Sequence, residues 1–178
     1  LLDRLQLAFR CRAPGTDETP LANEGPAELA RRLALAKARD VSAAEPQALV
    51  IGSDQVAACG DRILNKPGQH DAARQQLRAC SGRDVLFYTA VALVGPDGTE
   101  RVHMEPTTVR FRQLTDTQIE DYLQREKPYD CAGSFKVERL GIALFEHVSS
   151  ADPTALEGLP LIALCRLLDE AGVDILQP

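Results

Sequence analysis

Two extended runs, "VLFYTAVALV" (Val85–Val94) and "RVHMEPTTVRF" (Arg101–Phe111), flank the turn-forming tetrapeptide "GPDG" (Gly95–Gly98). Long β-branched and aromatic runs around a Gly/Pro/Asp turn predict a hairpin, and strands of ten residues need a sheet to belong to. A hairpin rules out a purely parallel sheet. Helical patterns surround it. Pro26 to about Val41 begins with proline in a favoured first turn and repeats Leu29, Leu33 and Ala36 on one face. Asp71 to Cys80 ends at Ser81-Gly82, and Thr115 with Gln118 forms a capping box for a helix to Glu126. A last helix begins around Pro160 and ends before Gly172, with Leu161, Leu164, Cys165 and Leu168 on its buried face. Helices and strands alternate with an embedded hairpin, so the class is α/β, a mixed twisted sheet flanked by helices.

The chain has 178 residues, which suits one domain, 1–178, with two lobes. Its formal net charge is −6, and aromatic residues make up 4% with no Trp. Clustered cations for a nucleic-acid backbone and rings for base stacking are both lacking, so no nucleic-acid polymer is expected as partner. Two or three placed cations still suffice for a small phosphorylated ligand. The five cysteines show no framework spacing and read as reduced, mostly buried thiols of a cytoplasmic protein. No apolar stretch approaches the ~20 residues of a membrane span. The opening "LLDRLQLAF" reads as a helix, and residues 12–25 as a loop.

The segment "LVIGSDQVAACGDRILNKP" (Leu49–Pro67) carries the first chemical signal. A buried strand at Ala48–Ile51 leads into Gly52, Ser53 and Asp54, and ligands favour the carboxyl ends of strands in open α/β sheets. If Gly60-Asp61 centres a two-residue turn, Cys59 pairs with Arg62. Continued back, that register sets Gln55 opposite Lys66 and brings Lys66 beside Asp54. Pro67 holds Lys66 extended. On spacing alone a surface ion pair and a ligand site are equally good readings. Lys37 stands beside the apolar arc of its helix, either snorkelling to water or aimed at phosphate. "GTDETP" (Gly15–Pro20) is a solvated turn or a loop offering carboxylate oxygens to a hard cation. "GSFKVERLG" (Gly133–Gly141) offers backbone amides and the carboxylate of Glu138. His70, His103 and His147 are isolated and suggest no zinc site, and P-loop and nucleophile-elbow motifs are lacking.

Taken in order, "DETP" (Asp17–Pro20), "LALAKA" (Leu33–Ala38), "IGSDQV" (Ile51–Val56), "NKP" (Asn65–Pro67), "CAGSFKVERLGIALFE" (Cys131–Glu146) and "GLPLIALCRLL" (Gly158–Leu168) resemble the Maf family of nucleoside triphosphate pyrophosphatases across the whole chain. "SDQV" and "GSFK" followed by a glutamate resemble the branch that hydrolyses 7-methyl-GTP. The family's N-terminal strand and Ser-x-Ser-x-Arg-Arg loop have no counterpart here, so the resemblance implies a domain without its native N-terminal strand and loop. It implies an elongated, two-lobed architecture like that of inosine triphosphate pyrophosphatases, with a cleft between the lobes. It further implies Asp54 as the proton acceptor, Lys37 and Lys66 as phosphate-binding cations, and Gln55 and Glu138 as specificity residues. Glu18 would be a metal-side acid, with Asp54 a second candidate ligand for Mg²⁺ or Mn²⁺. A homodimer is a family expectation. One carboxylate suits the two donors of a guanine edge, whereas glutamine suits the mixed edge of uracil or thymine. A broader enzyme acting on dTTP or UTP, and a nucleotide-binding regulator of septum formation, are the alternative readings.

Overall fold

The computed structural model describes residues 1–177. Five strands make one antiparallel sheet in the order β2-β1-β3-β4-β5. They are β1 (Val50–Cys59), β2 (Arg62–Leu64), β3 (Asp84–Val94), β4 (Glu100–Phe111) and β5 (Phe145–Ser149). Four α-helices accompany them: α1 (Pro26–Ala44), α2 (His70–Cys80), α3 (Asp116–Glu126) and α4 (Leu161–Glu170). The α/β class is borne out. The β3–β4 hairpin closes where expected, with Gly95 N–H donating to the Thr99 carbonyl at 2.9 Å and Gly98 at φ 78°. Thr115 caps α3, its hydroxyl accepting from Gln118 N–H while the Gln118 side chain accepts from Thr115 N–H.

Three expectations change. The N-terminal segment forms only a 3-10 turn, Leu2–Leu5, because Gln6 adopts a left-handed conformation (φ 55°) that stops helix growth. Strand β1 does not stop at Ile51 but runs ten residues, through the polar stretch to Cys59. Its polar side chains find partners, so the strand loses nothing by continuing. Cysteines are free, but only Cys59 and Cys80 are buried; Cys131 and Cys165 are half-buried and Cys11 is exposed. Burial and the neighbouring Cys59 push the Cys80 thiol up to about 12, so it is inert at neutral pH.

The chain forms two compact units. The first comprises Leu1–Gln55, Tyr88–Glu105 and the stretch from Asp152 onward. Its core includes Val91 and Leu93 of β3 against Leu161, Leu164, Leu167 and Leu168 of α4. Each such leucine contributes about 1.5–3 kcal/mol by leaving water. Asp152, only 2% exposed, fixes the start of α4 from ten residues upstream. One carboxylate oxygen accepts from Thr154 N–H and its hydroxyl, the other from Ile162 N–H (2.7 Å) and Ala163 N–H (3.4 Å). The Ile162 and Ala163 amides are ones that the helix itself leaves without acceptors.

The second unit comprises Val56–Phe87 and Pro106–Ala151. Its core holds four phenylalanines, Phe87, Phe111, Phe135 and Phe145, packed edge to face with centroids 4.8–5.8 Å apart. Each such pair adds about 0.5–1.5 kcal/mol beyond area burial. Phe135 follows directly on the "AGS" turn (Ala132–Ser134), so the cluster anchors that turn.

Candidate active site

In the first unit the site begins with a missing side chain. A Cβ on Gly52 would lie 2.3 Å from the Ala34 carbonyl and 2.7 Å from the Ala38 amide nitrogen. Helix α1 and strand β1 therefore meet at backbone contact. Residues two apart on a strand share a face, so Asp54 points the same way as Gly52, toward α1. Lys37 precedes Ala38 and arrives above it. Its ammonium lies 2.6 Å from Asp54 Oδ1 and 2.5 Å from Glu18 Oε1. The side chains of Lys37 and Asp54 are 18% and 11% exposed, that of Glu18 56%. The cluster is thus dry at its base and open at the glutamate. Burial pushes the Lys37 pKa down, but hydrogen bonds to Asp54 and Glu18 outweigh it and hold it above the usual lysine value. Lys37 does not snorkel freely to water. It is the shared cation of two carboxylates.

Glu18 reaches this point because its loop is clamped. Asp17 closes a turn by accepting from Thr19 N–H at 2.9 Å. Arg32, on α1, donates to the Thr19 carbonyl and makes a two-pronged bridge to Glu24 at 2.6 and 2.8 Å. That bridge, with the amide of Leu21, holds the Glu24 carboxyl at about 2. Sequence reasoning did not single out Arg32 and Glu24. The available signal was Arg32 five residues before Lys37 with an acid eight residues upstream.

The other face of β1 faces inward. Ser53 Oγ contacts the carbonyls of Ala90 and Gly158, both at 2.8 Å. The Gln55 amide donates to Thr89 Oγ1 at 2.9 Å and to the Ala155 carbonyl at 3.0 Å. Its amide nitrogen is spent on the 155–158 turn. A groove of about 1060 Å³ beside Leu49, Ile51 and Ser53 is not lined by Glu18, Lys37 or Asp54.

In the second unit, the hairpin register is as expected, Cys59↔Arg62 to Ala57↔Leu64, but β2 ends at Leu64. The continuation that would set Lys66 opposite Gln55 does not form. Pro67 has no N–H to extend a ladder, and Gly68 (φ 70°) turns the chain so that its N–H bonds the Tyr129 carbonyl at 2.9 Å. Lys66 is exposed and makes no ion pair among the described residues. Glu138 is likewise exposed, in a loop closed by the Lys136 carbonyl, which accepts from Arg139 and Gly141 N–H. A Cβ on Gly141 would meet that oxygen at 2.4 Å. Glu126 of α3 anchors the same loop, accepting from Leu140 N–H and pairing with Arg139.

Among the described residues, no three His, Cys, Asp or Glu side chains gather as a metal cage. Glu18 and Asp54 converge on one ammonium, and two carboxylates are what Mg²⁺ asks of a protein when water and phosphate oxygens complete its shell. Two such carboxylates suit a hard divalent cation.

Compared with known sequences, residues 1–171 match the family described as Maf-like protein. The chain belongs to the Maf family. It is 56% identical to a Nitrosococcus oceani protein named 7-methyl-GTP pyrophosphatase, over 99% of this chain and 89% of that one. Proteins of the same name from Polaromonas sp. and Xanthomonas axonopodis pv. citri are 55% and 53% identical, each over 98% of this chain and over 80% and 92% of their own lengths. Among the described residues no helix of this Maf protein is long and apolar enough to cross a membrane.

Proposed function

We propose that this Maf protein is a nucleoside triphosphate pyrophosphatase that hydrolyses 7-methyl-GTP to 7-methyl-GMP and diphosphate. The observation that carries the reading is the Glu18–Lys37–Asp54 cluster, in which three separated motifs meet within hydrogen-bond distance. The names of relatives more than half identical support the substrate.

Asp54 is the general base. Its carboxylate lies 2.6 Å from the Lys37 ammonium, and it takes a proton from the water that cleaves the anhydride between the α- and β-phosphates. Diphosphate departs with the electron pair of the broken bond. Lys37 exchanges part of its contact with the acids for phosphate oxygen as the triphosphate arrives, stabilising charge that grows on the leaving group. Lys66 binds phosphate as a solvated point charge. Glu18 and Asp54 would hold a divalent cation, Mg²⁺ or Mn²⁺, which supplies charge neutralisation on the phosphates. Glu138 accepts from the N1–H and N2–H₂ donors of guanine, and a 7-methyl group adds a positive charge that favours a carboxylate. Gln55 acts in selectivity by fixing the 155–158 turn.

The test is diphosphate release from 7-methyl-GTP, dTTP and UTP, with and without Mg²⁺ or Mn²⁺. Fastest release from 7-methyl-GTP, dependent on the cation, is expected. Equal rates across the panel would overturn the substrate, and no release at all would leave a nucleotide-binding protein.

A further inference from the structure

Helix α2 buries an amide that the reaction as described does not use. Gln76 is 8% exposed, yet lies among Ala73, Leu77 and Cys80 on the helix's buried face. Its Nε2 donates to the Asn65 carbonyl at 2.8 Å, and its Oε1 accepts from Ser134 Oγ at 2.7 Å. Asn65 is the residue before Lys66. Ser134 opens the segment that leads through Phe135 to Glu138. One side chain therefore joins the lysine-bearing loop to the glutamate-bearing loop.

The Ser134 end of this link is strained. Ser134 holds φ 63°, next to Gly133 at φ 75°. A non-glycine residue in the left-handed region persists where its surroundings fix it. Ser134 is fully buried, and its hydroxyl is held by Gln76. The Asn65 end lies two residues before Pro67 and three before Gly68, and the loop is anchored by the Gln76 bond and the Gly68–Tyr129 bond. A leucine would fill the space as well as an amide does, but would leave both the Asn65 carbonyl and the Ser134 hydroxyl without their partner.

We infer that Gln76 is a positioning residue that couples the placement of Lys66 to that of Glu138, so that phosphate binding and base selection are set together. The inference rests on the roles proposed above for those two residues. Gln76 itself touches no substrate.

The experiment compares Gln76→Leu, Gln76→Glu, Ser134→Ala and the Gln76→Leu/Ser134→Ala double variant in the full chain. Steady-state kinetics on 7-methyl-GTP and dTTP are read beside amide hydrogen exchange. Gln76→Leu is expected to raise KM for 7-methyl-GTP about tenfold with a smaller change in kcat, and to lower the preference over dTTP. Exchange should rise at both 65–69 and 132–138. The double variant should lose less than the product of the two single losses. Gln76→Glu should recover activity relative to Gln76→Leu as pH falls, because a protonated carboxyl again donates to Asn65 and accepts from Ser134. If Gln76→Leu fails to fold, that pH profile of Gln76→Glu, against Ser134→Ala, decides. Unchanged KM and preference in a folded Gln76→Leu variant, exchange rising at one loop only, or a Gln76→Glu profile matching the parent would overturn the coupling. Lys66→Ala and Glu138→Gln, measured in parallel, separate this from a failure of the functional reading. If neither variant changes KM or preference, the assigned roles fall, while the exchange data still judge the link itself.

Discussion

The two units present charge in opposite ways. In the first, the Lys37 ammonium pairs with both Glu18 and Asp54 at 2.5–2.6 Å, partly out of water. In the second, Lys66 and Glu138 stand exposed without ion pairs among the described residues, and what is held there is their backbone, by Gln76, Tyr129 and Glu126. A paired cluster ties each member's position to that of its neighbours. A solvated side chain on a clamped loop keeps its hydration until a ligand displaces it. Substitutions at Lys37 or Asp54 should therefore move turnover and stability together, and those at Lys66 or Glu138 should move affinity or selectivity alone.

The largest break comes from Asp54→Asn, which keeps the shape and removes the proposed proton acceptor. Diphosphate release from 7-methyl-GTP should fall about 10³-fold with an unchanged far-UV spectrum. Substantial residual turnover would take Asp54 out of the role of base. Gly52→Ala tests the close approach of α1 to β1. Its methyl would collide with the Ala34 carbonyl, so thermal unfolding should show a loss of about 1–3 kcal/mol, with lower kcat as Lys37 is lifted from Asp54. Glu138→Gln should shift the ratio of kcat/KM for 7-methyl-GTP over dTTP about tenfold toward dTTP, with stability unchanged within about 0.5 kcal/mol. An unmoved ratio would show that another group reads the base.

The smallest effect concerns pH. Glu24 has its pKa lowered from 4.5 to about 2, through the Arg32 bridge and the Leu21 amide. A depressed carboxyl stabilises the folded state above its unfolded pKa, and that contribution fades as pH falls from 4.5 toward 2. Glu24→Gln should thus lower the melting temperature at neutral pH by a small margin that closes as pH approaches 2. A gap constant across that window would remove the ion pair as its cause.

Much of this was legible from residues close in sequence. The β3–β4 hairpin, the Thr115 cap and the Cys59↔Arg62 register each depend on a local turn or cap, where a few residues decide the geometry. The resemblance picked out Glu18, Lys37 and Asp54, but not that the lysine bridges both acids, because that depends on Gly52 admitting the helix at backbone distance. The extension of the register to Lys66 failed for a local reason, since Pro67 and Gly68 redirect the chain. Arg32–Glu24, Gln76–Ser134 and the Asp152 cap were hidden because each joins residues 8 to 58 positions apart and leaves no periodic trace.

Asp152 has a consequence beyond holding the start of α4. Three amides, those of Thr154, Ile162 and Ala163, share its one buried carboxylate. Their protection from solvent hydrogen is then a common property: any motion that withdraws the carboxylate exposes all three at once. The 152–163 segment would then open as a single latch rather than fray residue by residue. Because Gln55 and Thr89 bond to the Ala155 carbonyl inside that latch, the strand that carries Asp54 would register its opening.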